Sequence, residues 1–172
     1  MIYIIGIGSN MSSKHGSSIE SLKVAIRKLN RNNVRVIKKS FIYSSPPKDF
    51  TTAANTFFNG AIMVDSSLKP ESLLLVLKKI EKDLGRIVYK KNSSRTCDLD
   101  ILLVRPENIE LSKSNISKCI LPHPRIHERG FVLKPMMDIC SNWMHSERNQ
   151  RISDIYKLSN TGGKLYKIAK KL

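Results

Sequence analysis

Residues 95–104 read Arg-Thr-Cys-Asp-Leu-Asp-Ile-Leu-Leu-Val. Side chains alternate across a strand, so Asp98 and Asp100 leave the same face, roughly 6.6 Å apart at ~3.3 Å per residue. Leu99, Ile101 and Leu103 take the opposite face, while Leu102 and Val104 continue the acidic face as apolar residues. The pattern predicts a central strand, buried on both sides, with a charged mouth. Two carboxylates at such a mouth repel each other unless something positive joins them. A hard divalent cation with oxygen ligands suits them, with Arg95 alongside for an anionic substrate.

Upstream, the apolar Ile2 to Ile7 predicts a buried strand ended by Gly8-Ser9-Asn10. Ser17 and Glu20 have capping-box spacing, and Ile19, Leu22, Ile26 and Leu29 recur at helical spacing, predicting a helix from about Ser18 to Asn30. A second strand is expected from Val34 to about Tyr43, broken by Ser44-Ser45-Pro46-Pro47, and a third from Phe57 to Val64. Pro70 opens a second helix, whose apolar face is Leu73, Leu74, Leu77, Ile80 and Leu84, with Gly85 past its end. Arg86 to Ser94 is a cationic loop leading into the acidic strand. Ile109 to Leu111 suggests a short edge strand. Pro122 to Asp138 reads as two helical pieces interrupted at Gly130, the second limited by Pro135. The order strand, helix, strand, strand, helix, strand predicts an α+β protein. Its core is a ferredoxin-like βαββαβ arrangement with an antiparallel sheet, and extra C-terminal helices form a third layer (α/β/α). The 172 residues read as a single domain, 1–172.

Composition narrows the function. No stretch approaches the roughly 20 apolar residues of a membrane span. The opening MIYIIGIGSN lacks a basic region and a cleavage site, so it reads as a strand and not a signal peptide. Cys97, Cys119 and Cys140 are odd in number and lack CxxC spacing, which favours reduced thiols in a cytoplasm. Thirty Lys and Arg against fourteen Asp and Glu give a charge of +16, a field that attracts polyanions: nucleic acid, an anionic membrane or nucleotide phosphates. The cations are scattered through the chain, which disfavours nucleic acid as the main partner.

Further groups carry chemistry. A metal on carboxylates with cations around it is what phosphoryl transfer needs, which draws in Arg86, Lys90, Lys91 and Arg95. Between Leu121 and Phe131 lie two His and two Arg, of which His123 and Arg129 suit phosphate contacts. His123 and His127 are four apart, but Pro124 intervenes, which disfavours zinc. Phe57 and Asn59 share a strand face, either as core and turn residues or as a slot for a flat heterocycle. There is no P-loop and no dinucleotide fingerprint.

GIGSN, the SPP loop, FFNGAI, RTCDLDILLV and LPHPRIHERGFVLKP, taken in order over about Ile2 to Ile139, resemble the 6-hydroxymethyl-7,8-dihydropterin pyrophosphokinase family. The resemblance implies transfer of pyrophosphate from ATP to a hydroxymethyl-dihydropterin in folate biosynthesis, by a monomer or weak homodimer with two Mg²⁺ ions. It places both ions on Asp98 and Asp100, and catalytic cations at Arg86 and Arg95. The pterin would lie between Phe57 and Phe131, with Asn59 at its edge and Ser45, Pro46 and Pro47 completing the pocket. ATP would meet Glu81, Arg95, Ile101, Lys118, Ile120, His123 and Arg129. The chain departs from the family pattern at Val88, where an Arg is frequent, at Asn92-Ser93-Ser94 in place of Trp-Gly-Pro, and at Pro124, often Tyr.

Overall fold

The structure is a computed structural model. It describes residues 1–46, 55–86, 93–105, 119–159 and 165–172, without the side chains of 169–171. The elements are β1 (Ile2–Ser9), α1 (Ser18–Arg31), β2 (Arg35–Lys39), β3 (Phe41–Ser45), β4 (Phe57–Asp65), α2 (Pro70–Asp83) and β5 (Asp98–Arg105). A 3₁₀ turn (Ile126–Glu128) then leads to α3 (Gly130–Cys140), β6 (Met144–His145), β7 (Gln150–Arg151), α4 (Ile152–Leu158) and β8 (Tyr166–Lys171). The expected strand at Ile109 to Leu111 lies outside the described residues.

The main sheet runs β5-β1-β4-β3-β8, with β2 also on β4, and every pairing is antiparallel. The crossovers β1–α1–β2 and β4–α2–β5 each step over one strand, which is the ferredoxin-like βαββαβ order. The helix signals act as read. Ser17 Oγ accepts from the Glu20 N–H at 3.4 Å, Pro70 opens α2, and Gly85 comes after its C-cap with φ +82°.

One expected strand is two. Its break falls at Ser40, whose N–H donates to Ala61 O (2.9 Å) while its Oγ accepts from the Ala61 N–H (2.9 Å) and donates to Phe41 O (2.7 Å). The hydroxyl thus stands in for a backbone rung. β2 consequently runs along one half of β4 and β3 along the other, ending opposite Phe57.

Each face of the sheet has its own core. On one, Tyr3, Ile5 and Ile7 of β1 meet Leu22, Ala25 and Leu29 of α1 and Leu73, Leu77 and Ile80 of α2. On the other, Ile4 and Leu102 meet Leu133 and Met136 of α3 and Ile155 of α4. This is the three-layer α/β/α arrangement. Within β5 the alternation breaks at a bulge, because Ile4 pairs with Leu103 but Ile5 with Ile101. The extra residue flips the remainder of the strand, so Leu103 joins the α3 side and Val104 the α1/α2 side, opposite to strict alternation. Pro135 also departs from expectation. It sits inside α3 and is buried, and the packing of Leu133, Met136 and Ile139 carries the helix past its missing N–H. The C-terminal region adds not only α4 but β8, a strand on the edge of the main sheet. Among the described residues no helix is long and apolar enough to cross a membrane.

Candidate active site

Three neighbouring strands place the first site residues on one rung. Gly8 of β1 pairs with Asn59 of β4 on one side and Asp98 of β5 on the other. Two inter-strand steps of about 4.8 Å therefore separate the backbones of Asn59 and Asp98, and Gly8 between them leaves the floor open. A Cβ at Gly8 would lie 3.0 Å from Asn59 Oδ1 and 4.0 Å from Asp98 Cβ. Asp100 comes next on the same face, paired with Gly6, another residue without a side chain. The rung floors an open cleft walled by His123, Arg125, Arg129 and Phe131.

Asp98 is held by two guanidinium groups. Arg86 donates to its Oδ1 at 2.5 Å and Arg95 to its Oδ2 at 2.9 Å. Burial alone would raise the Asp98 pKa, but Arg95, Arg86 and Lys78 outweigh it and hold the carboxyl below the usual range. Asp100 has weaker support. Burial and the neighbouring Asp98 raise its pKa, against Lys78 at 3.9 Å. The two carboxylates keep 23% and 38% of their side-chain surface exposed, enough to receive a ligand. Among the described residues no cluster of three or more His, Cys, Asp or Glu could hold a metal. Two carboxylates do fit Mg²⁺, an ion that keeps waters and completes its shell with substrate phosphates.

Behind this pair, Glu81 is 3% exposed. Its Oε1 accepts from the Leu99 N–H at 2.7 Å and lies 2.9 Å from Lys78 Nζ and 2.6 Å from Arg86. Burial raises its pKa, opposed by Lys78 and Arg86. Burial likewise favours proton loss from Arg86, but Asp98 and Glu81 outweigh it and keep the guanidinium charged. Glu81 thus ties α2 to the start of β5 and aims Arg86 at Asp98. Asn10, 2% exposed, anchors Arg95: its Oδ1 accepts the Arg95 N–H at 2.7 Å and its own N–H donates to Arg95 O at 3.1 Å.

The segment after Leu121 is fastened to β5 by the His123 N–H, which donates to Leu102 O at 2.9 Å. His123 Nδ1 accepts the Arg125 N–H at 3.2 Å. Burial lowers the His123 pKa, and Arg129 adds to this against Asp100, so the imidazole is neutral at pH 7. Arg129 stands over the Phe131 ring, 5.9 Å from its centroid. On the opposite wall, Asn59 Nδ2 donates to Ser45 Oγ at 3.0 Å, which leaves its oxygen toward the Gly8 floor. Phe57 is half-buried on β4, opposite Ser45. Phe58 packs toward the α1/α2 core, so Phe57 shares the face of Asn59.

Ile101 has its side chain in the α1/α2 core, Ile120 is exposed and so is Pro46. Pro47, Val88, Lys90, Lys91 and Lys118 lie outside the described residues. Sequence reasoning missed Lys78, Asn10 and Arg125. Lys78 had a usable signal, since it lies one helical turn before Glu81. Asn10 had none, because its partner is 85 residues away.

Fold and cleft together define the class: an α+β enzyme domain of ferredoxin-like topology with its site laid across the centre of the sheet. Within that class the chain belongs to the 7,8-dihydro-6-hydroxymethylpterin-pyrophosphokinase (HPPK) family, whose model matches residues 4–141. It is 39% identical to the 2-amino-4-hydroxy-6-hydroxymethyldihydropteridine pyrophosphokinase of Bacillus subtilis, over 81% of this chain and 78% of that one. It is 32% identical to the Aquifex aeolicus protein of the same name, over 91% of each. It is 36% identical to the folic acid synthesis protein fol1 of Pneumocystis carinii over 89% of this chain, but spans only 19% of that protein's length. The Plasmodium falciparum HPPK-DHPS structure with SDX-DHP shares the fold at TM-score 0.66 and 16% identity, over 91% of this chain and 44% of that one.

Proposed function

We propose that the protein transfers the terminal pyrophosphoryl group of ATP to the hydroxymethyl group of 6-hydroxymethyl-7,8-dihydropterin, releasing AMP and the dihydropterin diphosphate for folate synthesis. The observation that carries this reading is the Asn59–Gly8–Asp98 rung. It sets an amide suited to a heterocycle edge about two strand spacings from a carboxylate pair ringed by Arg86 and Arg95. The names of the Bacillus and Aquifex relatives support the same substrates.

In this reading Phe57 and Phe131 stack on the pterin, Asn59 hydrogen-bonds its edge, and Ser45 fixes the Asn59 amide beside Pro46. Asp98 and Asp100 would hold two Mg²⁺ ions, which when bound would supply charge neutralisation at the transferred group. The substrate hydroxyl attacks the β-phosphorus in line. The bond from that phosphorus to the α-phosphate bridging oxygen breaks, AMP leaves with that oxygen, and the hydroxyl proton passes to solvent. Arg86 and Arg95 move from Asp98 onto the phosphates, and Arg129 and the neutral His123 contact them from the other wall. Glu81, Ile101, Lys118 and Ile120 belong to the nucleotide side. Catalysis is then positioning plus charge neutralisation, with no strong protein base. Three free thiols, two of them buried, fit work in a reducing cytoplasm by one domain.

The test is AMP release by purified protein given ATP, Mg²⁺ and the hydroxymethyl-dihydropterin. Release that depends on both the pterin and the metal supports the reading. No release at saturating substrates overturns it.

A further inference from the structure

β8 lies beyond the family-matched residues 4–141, yet it is laid along the strand that carries the pterin side of the cleft. β3 is five residues long and meets β4 only at Tyr43, Ser44 and Ser45. Its other edge is closed by β8, with Ile42, Tyr43 and Ser44 opposite Ile168, Lys167 and Tyr166. Closure thus reaches the residue next to Ser45, the partner of Asn59. A short strand with one edge open to water would hold that hydroxyl loosely.

The far end of β8 is fixed by packing. Leu172 is 7% exposed and lies in the α1/α2 core, and its N–H donates to Ser40 O at 3.3 Å. Its side chain fills the space that Gly60 leaves. A Cβ built at Gly60 would overlap Leu172 Cδ1 and lie 3.2 Å from its Cγ and 3.3 Å from Ser40 Oγ. Gly60 is the residue after Asn59, so Leu172 presses on β4 beside the pterin amide, from the face opposite the cleft. At the near end, Lys167 Nζ stands 3.4 Å from the Phe41 ring centroid, a second tie between β8 and β3.

We propose that β8 braces the acceptor half of the active site and that Leu172, seated on Gly60, is a positioning residue for Asn59 and Ser45. The inference rests on the pyrophosphokinase reading for its kinetic consequence but not for its structural one. The brace acts on the acceptor pocket alone, because the carboxylate pair and its cations are tied through α2, β1 and β5.

The experiment is a double-mutant cycle of Leu172→Ala and Gly60→Ala in the full chain, with Leu172→Ile as the conservative control. Leu172→Ala should raise KM for the dihydropterin about tenfold, the effect of a small misplacement, and leave KM for ATP within about twofold. Gly60→Ala should do the same by expelling Leu172. The double variant should be less impaired than Gly60→Ala alone, because the missing leucine makes room for the new Cβ, and Leu172→Ile should restore most of the affinity. Equal rises in both KM values, unchanged pterin KM, or strictly additive effects would overturn the brace. The Asn59 side-chain amide resonance in a ¹⁵N spectrum supplies a readout free of turnover. It should move in Leu172→Ala and return in Leu172→Ile, and an unmoved resonance would overturn the proposal even in a protein without activity. If the wild-type chain releases no AMP but the resonance still moves in Leu172→Ala, the brace is retained and the pyrophosphokinase reading rejected.

Discussion

Around Asp98, Arg86 bridges two carboxylates, Arg95 and Lys78 add charge, and Glu81 is buried among them. Around Asn59, by contrast, one amide–hydroxyl bond to Ser45 and the backbone ladders that join β1, β4, β3 and β8 do the holding. The first half is an electrostatic lattice whose members come from α2, β5 and the segments flanking them, which carry Arg86 and Arg95. The second is a neutral strand whose order depends on what packs beside it. Removing a partner from the first leaves a buried charge exposed to its own desolvation cost, whereas removing one from the second leaves slack. Chemistry that neutralises phosphate charge needs the former, and recognition of a flat neutral ring needs only the latter.

The contrast can be broken most severely at the acidic pair. Asp98→Asn or Asp100→Asn should lower AMP release by about a thousandfold with pterin affinity nearly intact, and chelation of divalent metal should match it. Turnover within tenfold of wild type in either variant would remove the pair from the metal role. Stability should separate the halves next. Glu81→Ala removes one of the two carboxylates of Arg86 and leaves the Leu99 N–H unpaired, at a cost of about 3 kcal/mol or roughly 10 °C in Tm. Ser45→Ala should cost only about 1 kcal/mol by the same thermal melt. Binding separates them in the other direction: Phe131→Ala should weaken pterin binding about tenfold, measured calorimetrically, with ATP affinity little changed.

The finest distinction lies within the acidic pair. A carboxyl whose folded pKa is depressed contributes stability that is present above its unfolded pKa and lost as pH falls through the folded value. Asp98 is such a group, so metal-free Asp98→Asn should melt lower than wild type at pH 7, and the difference should shrink in strong acid. Asp100 is raised, so its ionised form opposes folding at neutral pH and is relieved on acidification. Metal-free Asp100→Asn should therefore melt slightly higher at pH 7, and Mg²⁺ should erase that advantage. Equal shifts of the same sign in both variants would contradict the asymmetry.

Much of the electrostatic half was legible because it depends on near neighbours in sequence. The i, i+2 spacing of Asp98 and Asp100 puts them on one face of a strand, and Arg95 lies three residues away. The periodicity of Leu73, Leu77 and Ile80 oriented α2, although nothing local showed that Glu81 would be buried under β5. The other half was less legible. Ser40 looked like one strand residue among several, and its substitution for a backbone rung appears only once Ala61 lies opposite. The lysine-rich segment that becomes β8 has too weak an alternation to announce a strand, and its partner β3 lies some 120 residues earlier. Val104 went to the other face because a bulge, invisible in the apolar run, adds one residue to β5.

The sequence by itself determined the element order, the shared face of the two aspartates and the family-specific motifs, because these come from alternation, helical spacing and short-range geometry. Only the tertiary structure decided that Asn59, Gly8 and Asp98 share a rung, that Asn10 anchors Arg95, that Glu81 aims Arg86, and that Leu172 sits on Gly60. All but the Glu81–Arg86 pair are contacts between distant segments, and that pair is set by the burial of Glu81 against β5. All depend on register and burial, which the chain acquires only when the sheet closes.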